Sequence, residues 1–62
     1  MTYVYRRSLN WFSTYWKPLF SSRSFSTAFF LAQRLAARYP EHQFKLVQFE
    51  REQEVRKHLV SA

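Results

Sequence analysis

Alternation of apolar and polar positions opens the chain. Across Thr2 to Arg7, Tyr3 and Tyr5 share one side of an extended segment, with Val4 on the other beside Arg6 and Arg7, which predicts a strand. Ser8-Leu9-Asn10 is suited to a turn. Trp11 to Trp16 then sets Trp11, Ser13 and Tyr15 against Phe12, Thr14 and Trp16, so a hairpin over residues 2 to 16 is expected. Lys17-Pro18 should end it, because proline cannot donate to a ladder. Residues 17 to 23 read as a connection with Leu19 and Phe20 tucked against the core.

The period changes after Ser24, a good N-cap residue. Phe25, Ala28, Phe29, Ala32, Leu35, Ala36 and Tyr39 recur at helical spacing as far as Pro40, predicting an amphipathic helix. Arg34 and Arg38 lie one turn apart near its C-terminal end, where the helix dipole favours positive charge. His42 to Phe49 returns to alternation, with Phe44 and Leu46 on one face and Lys45, Val47 and Phe49 on the other. For Glu50 to Val60 a short helix is favoured. Acids precede bases there, Glu52 stands four before Arg56, and Val55 stands four before Leu59. A second hairpin turning near Arg51-Glu52-Gln53 is the alternative.

The expected fold class is α+β: residues 1–62 form one small basic domain, a small antiparallel sheet with one packing helix, in the order β-β-α-β plus a short C-terminal helix or strand. One helix covers only one side of such a sheet. Some of Tyr3, Tyr5, Trp11, Tyr15 or their neighbours should therefore face solvent, a second copy of the chain or a partner. A homodimer would bury the surplus rings.

Composition narrows the function. A chain of 62 residues with seven Phe, four Tyr and two Trp has the apolar side chains for a core but is too short to bury much of its surface. Cysteine is absent, and with it any disulfide or thiolate site. So is glycine, which removes phosphate loops of the Walker or dinucleotide-binding kind, since these need backbone that only glycine supplies. No cofactor is expected. The longest apolar run, Ala28 to Ala32, is far short of a membrane span of about 18 residues. A soluble, cytoplasmic protein is expected, or an organelle-targeted one if the acid-free N-terminal region is a transit sequence.

The net charge of +6 belongs to the first forty residues. They contain Arg6, Arg7, Lys17, Arg23, Arg34 and Arg38 and no acid, whereas Glu41, Glu50, Glu52 and Glu54 are matched by Lys45, Arg51, Arg56 and Lys57. His42 and His58 stand in no metal-ligand or triad spacing, so no catalytic or metal site is assigned and the chain is read as a non-enzyme. Ser21 to Thr27 is read as a loop and helix cap, with Arg23 able to add an anion contact.

The expected activity is binding of a macromolecule. Nucleic acid is one partner class: Arg6, Arg7, Lys17 and Arg23 would meet phosphates, while Tyr3, Tyr5, Trp11 or Tyr15 stack on bases. An acidic protein surface is the other, docking on a sheet edge or on the helix flank that carries Phe30, Arg34 and Arg38, with charge steering the encounter. The latter would suit a virus-encoded modulator or a small bacterial accessory protein. Candidate binding residues are thus Arg6, Arg7, Trp11, Tyr15, Lys17, Arg23, Arg34 and Arg38.

Overall fold

The computed structural model describes residues 1–9 and 15–61. Strands β1 (Thr2–Ser8), β2 (Lys17–Ser22), β3 (His42–Glu50) and β4 (Gln53–Val60) form one antiparallel sheet in the order β2-β1-β3-β4, and helix α1 (Phe25–Arg38) joins β2 to β3. Both β2 and β3 run antiparallel to β1, hence parallel to each other. A hairpin cannot make that connection, and α1 is the crossover that carries the chain over β1.

Three alanines fix how closely the helix lies on the sheet. Ala28, Ala32 and Ala36 are spaced one turn apart and are all but fully buried against Val4, Phe44, Leu46 and Val60. Phe20, Phe25, Phe29 and Leu35 close the margins of this layer. Without bulk in the alanine row, the backbone of α1 comes near the sheet, and dispersion contacts accumulate over both surfaces. Ser24 caps the helix as expected, its Oγ accepting from Thr27 N at 3.3 Å. Tyr39 is the C-cap and is exposed rather than part of the buried face; its N–H donates to the Leu35 carbonyl at 2.8 Å, and Pro40 prevents continuation.

Four expectations are corrected. The strand that follows β1 among the described residues is Lys17–Ser22, where a connection was expected; of the expected strand Trp11 to Trp16, residues 11–14 lie outside the described residues, and Tyr15 and Trp16 are not in a strand. Proline does not end the strand because β2 is an edge. At the edge a missing N–H costs no ladder bond, and the pairing steps from Val4–Phe20 to Tyr5–Pro18 past Leu19, a bulge at the point where proline sits. Likewise Ser8 is the last residue of β1 rather than part of a turn, and Leu9 N extends the line with a 2.8 Å bond to the Glu41 carbonyl.

The C-terminal segment is strand β4, not the favoured helix. Its turn is Arg51-Glu52, with φ of 50° and 67° between the paired Glu50 and Gln53. Two consecutive positive φ angles are the mark of the type I′ turn, whose twist matches that of paired strands. The i to i+4 charge spacing that suggested a helix contributes only a few tenths of a kcal/mol, roughly 0.2–0.5 per pair, and pairing with β3 outweighs it. Phe44 and Leu46 face the helix and Lys45 and Val47 the other side, as the alternation predicted. Among the described residues no helix is long and apolar enough to cross a membrane.

Candidate functional site

The helix covers one side of the sheet and leaves the other open. On β1 the buried Thr2 and Val4 point to the helix, so Tyr3, Tyr5 and Arg7 point away. Register carries the same parity across the sheet: Tyr3 stands beside Val47 and Val47 beside Lys57, Tyr5 beside Lys45 and Lys45 beside Leu59, and Arg7 beside Gln43. The open face thus presents rows in which rings, ammonium groups and aliphatic side chains alternate.

At its centre the Lys45 ammonium lies 5.1 Å from the ring centre of Tyr5 and 4.7 Å from that of Trp16. The guanidinium of Arg7 lies 4.5 Å from the same Trp16 ring, and its Nε donates to Gln43 Oε1 at 2.8 Å. Tyr3 meets Phe49 edge to face at 5.7 Å. Cation–π contacts of this kind are worth about 0.5–1 kcal/mol at exposed sites and more where water is excluded. They hold the long side chains in fixed directions rather than letting them sweep through solvent.

The electrostatics of the face show in Lys45. Burial, and then the charge of Lys57, hold its pKa below the ordinary 10.5; Arg7 acts in the same direction, and Glu54 opposes them. A lysine pushed towards its neutral form first by partial burial and then by neighbouring cations is a group whose charged form an anion would favour.

One hollow lies on this surface, and another lies at the end of β1, where Arg7 belongs to the open face and Arg6, Ser8, Lys17 and His42 alternate to the other side. The first, of about 620 Å³, is lined by Met1, Tyr3, Tyr5, Phe49, Arg51 and Glu52. The other, about 260 Å³, is lined by Arg6, Arg7, Ser8, Tyr15, Lys17 and His42. Four residues expected from the sequence therefore meet at one place: Arg6, Arg7, Tyr15 and Lys17, contributed by the end of β1 and the start of β2. Arg34 and Arg38 do not join them. They line a separate hollow of about 510 Å³ on the helix with Leu31, Leu35 and Ala37. Arg23 is exposed in the link between β2 and α1, and Trp11 lies outside the described residues.

Sequence reasoning left Trp16, Lys45 and Lys57 out of the site. The alternation of β3 placed Lys45 opposite the core residues, a signal that could have found it. Lys57 needed β4 to be recognised as a strand. Trp16 needed the true start of β2. Among the described residues no group of three or more His, Cys, Asp or Glu side chains could hold a metal ion. No protein-family model, no curated protein and no solved structure matches the chain.

Proposed function

We propose that the open face of the sheet binds single-stranded nucleic acid. The observation that carries this reading is the interleaving of rings and cations over one uncovered sheet face, with Lys45 held between Tyr5 and Trp16 and flanked by Arg7 and Lys57. A single strand offers what such a surface can use: bases with π-faces for Tyr3 and Tyr5, and phosphates at regular intervals for Arg7, Lys45 and Lys57. Tyr3 is 40% exposed, so its ring has area to offer a base. Duplex DNA suits the face less, because its bases are reached through grooves by a projecting helix or ribbon and not by a broad sheet.

Fluorescence anisotropy with short single-stranded DNA and RNA and with duplex, at about 50 and 200 mM salt, tests the proposal over the range in which phosphate-driven affinity collapses. Single strands should bind more tightly than duplex, and Tyr5→Ala should weaken binding by roughly 5- to 100-fold, the loss of one stacked base. Equal affinity for duplex, or no effect of Tyr5→Ala in a folded variant, sinks the reading.

One observation favours a second reading, an acidic protein docked on the helix. Phe30 is 57% exposed and Leu31 40%, and the Arg34 guanidinium lies 5.7 Å from the Phe30 ring centre. An exposed aromatic beside arginines is the composition of an interface anchor. Capture of a partner that is lost in Phe30→Ala and retained in Tyr5→Ala would select this reading.

A further inference from the structure

We infer that the 260 Å³ hollow at the end of β1 is a phosphate-monoester site; taken with the strand-binding reading on which this rests for its source, the group it receives is the terminal phosphate of the bound strand. Three observations converge on it. First, Arg6, Arg7 and Lys17 bring three cationic residues to one small volume, with Tyr15 on the same lining. A diester phosphate carries one negative charge, whereas a monoester carries about −1.5 to −2 near neutral pH and has three terminal oxygens to engage. Three cations in one hollow suit the more highly charged group.

Second, the Arg7 guanidinium is already held in place. Its Nε is committed to Gln43 Oε1 at 2.8 Å and its plane lies near the Trp16 ring, which leaves the paired Nη groups as a fork held in place from behind. A fixed fork is the geometry in which arginine grips two phosphate oxygens with little ordering cost at the moment of binding. Third, His42 Nδ1 is buried and has no hydrogen-bond partner among the described residues, while its Nε2 lies 3.5 Å from Glu41 Oε1. Buried polar atoms are almost always paired, and an orphan beside a cationic hollow is matched by an acceptor or donor oxygen arriving in it.

Size agrees with this chemistry. The volume is a little below the roughly 300–1,000 Å³ of pockets for drug-sized ligands, and larger than the roughly 30 Å³ share of a single water. It has room for a phosphate and part of its sugar. Position agrees too: Arg7 belongs to the open face and Arg6 and Ser8 to the other, so the hollow that all three line lies at the end of β1, where a strand would leave the face.

The test compares one oligonucleotide in three forms, 5′-phosphorylated, 3′-phosphorylated and hydroxyl-ended, by anisotropy, alongside inorganic phosphate followed through the His42 imidazole resonances. One phosphorylated end should bind about tenfold more tightly than the hydroxyl-ended strand, as expected for added charge-assisted bonds, and His42 should shift. That preference should vanish in Lys17→Ala and in His42→Ala, with hydroxyl-ended binding nearly retained. Lys17 is exposed at the start of an edge strand, so its variant decides the matter if His42→Ala fails to fold. Strands that bind with no preference for a phosphorylated end would overturn the site and leave the proposed function standing. Inorganic phosphate that shifts His42 while no strand binds would uphold the site and overturn the strand as its source. Silence from phosphate and strands alike would remove both.

Discussion

If a strand lies on the open face, at most Arg7, Lys45 and Lys57 meet its phosphates, and the salt dependence of binding follows from that number. Each phosphate neutralised on a single strand adds about −0.7 to the slope of log K against log salt. Three contacts give about −2.1, so a fourfold rise in salt weakens binding by about 20-fold. Replacing Lys57 by Gln leaves two contacts, a slope of about −1.4 and a loss of only about 7-fold over the same step. Its side chain is exposed, so stability should stay within about 0.5 kcal/mol of the parent, which a denaturant melt checks. Anisotropy titrations at four salt concentrations supply both slopes. A parental slope near zero would show that phosphates are not what the face recognises, and equal slopes in parent and variant would show that Lys57 is not among the groups that meet them.

Further outcomes follow from the fold. Thr2 is fully buried and its Oγ1 has no hydrogen-bond partner among the described residues, so Thr2→Val should stabilise the protein by roughly 1–2 kcal/mol; an unchanged or lower melting temperature would mean that the hydroxyl is satisfied. Arg51 and Glu52 both occupy the left-handed region without glycine, at about 1–2 kcal/mol each, so Arg51→Asn with Glu52→Gly should gain about 1 kcal/mol after glycine's larger chain entropy is set against it. Ser24→Ala removes the acceptor for Thr27 N and should cost about 1 kcal/mol in the same melt, with loss of helical signal ahead of the sheet.

The sequence made the helix plain because all its signals agree: a cap at Ser24, a seven-position apolar stripe and Pro40 beyond the end. β1 and β3 were legible for a similar reason, each alternating over a buried face. The failures lie at the two edges. β2 and β4 carry one core contact or few, so their side chains follow no strict alternation, and proline and charged residues are tolerated there that a central strand would reject. Because its positions carry neither the Asn nor the Gly usual in such a hairpin, the turn at Arg51-Glu52 was legible only as the alternative to a helix, and that alternative holds. The candidate site was half legible on the same grounds. Arg6, Arg7, Tyr15 and Lys17 stand close in sequence and meet in space, but the rows that unite Lys45 and Lys57 with Tyr3 and Tyr5 exist only once all four strands are in register.

The open face has to meet two demands that pull against each other. Val47 points away from the helix and is still only 5% exposed, with Tyr3 and Lys57 as its neighbours across the sheet. Long amphipathic side chains do this when no second layer is present, lying over apolar surface with their charges kept at the edge. Lys45 does it at a cost: its charge is partly desolvated and sits among other cations. Between its lowered folded value and the ordinary 10.5, the unfolded chain holds more protons than the folded one, so stability rises with pH through that window, and below it the penalty is present in full. Lys45→Met keeps the aliphatic stem and removes the charge. It should raise stability near neutral pH, abolish the alkaline gain and lower affinity for a single strand, with the salt slope smaller by about 0.7. Stability and binding would then move in opposite directions from one substitution, as expected where a charge is kept for a ligand against the interest of the fold. If both fall together, the Tyr5 and Trp16 contacts outweigh the desolvation, and Lys45 serves the sheet rather than a strand.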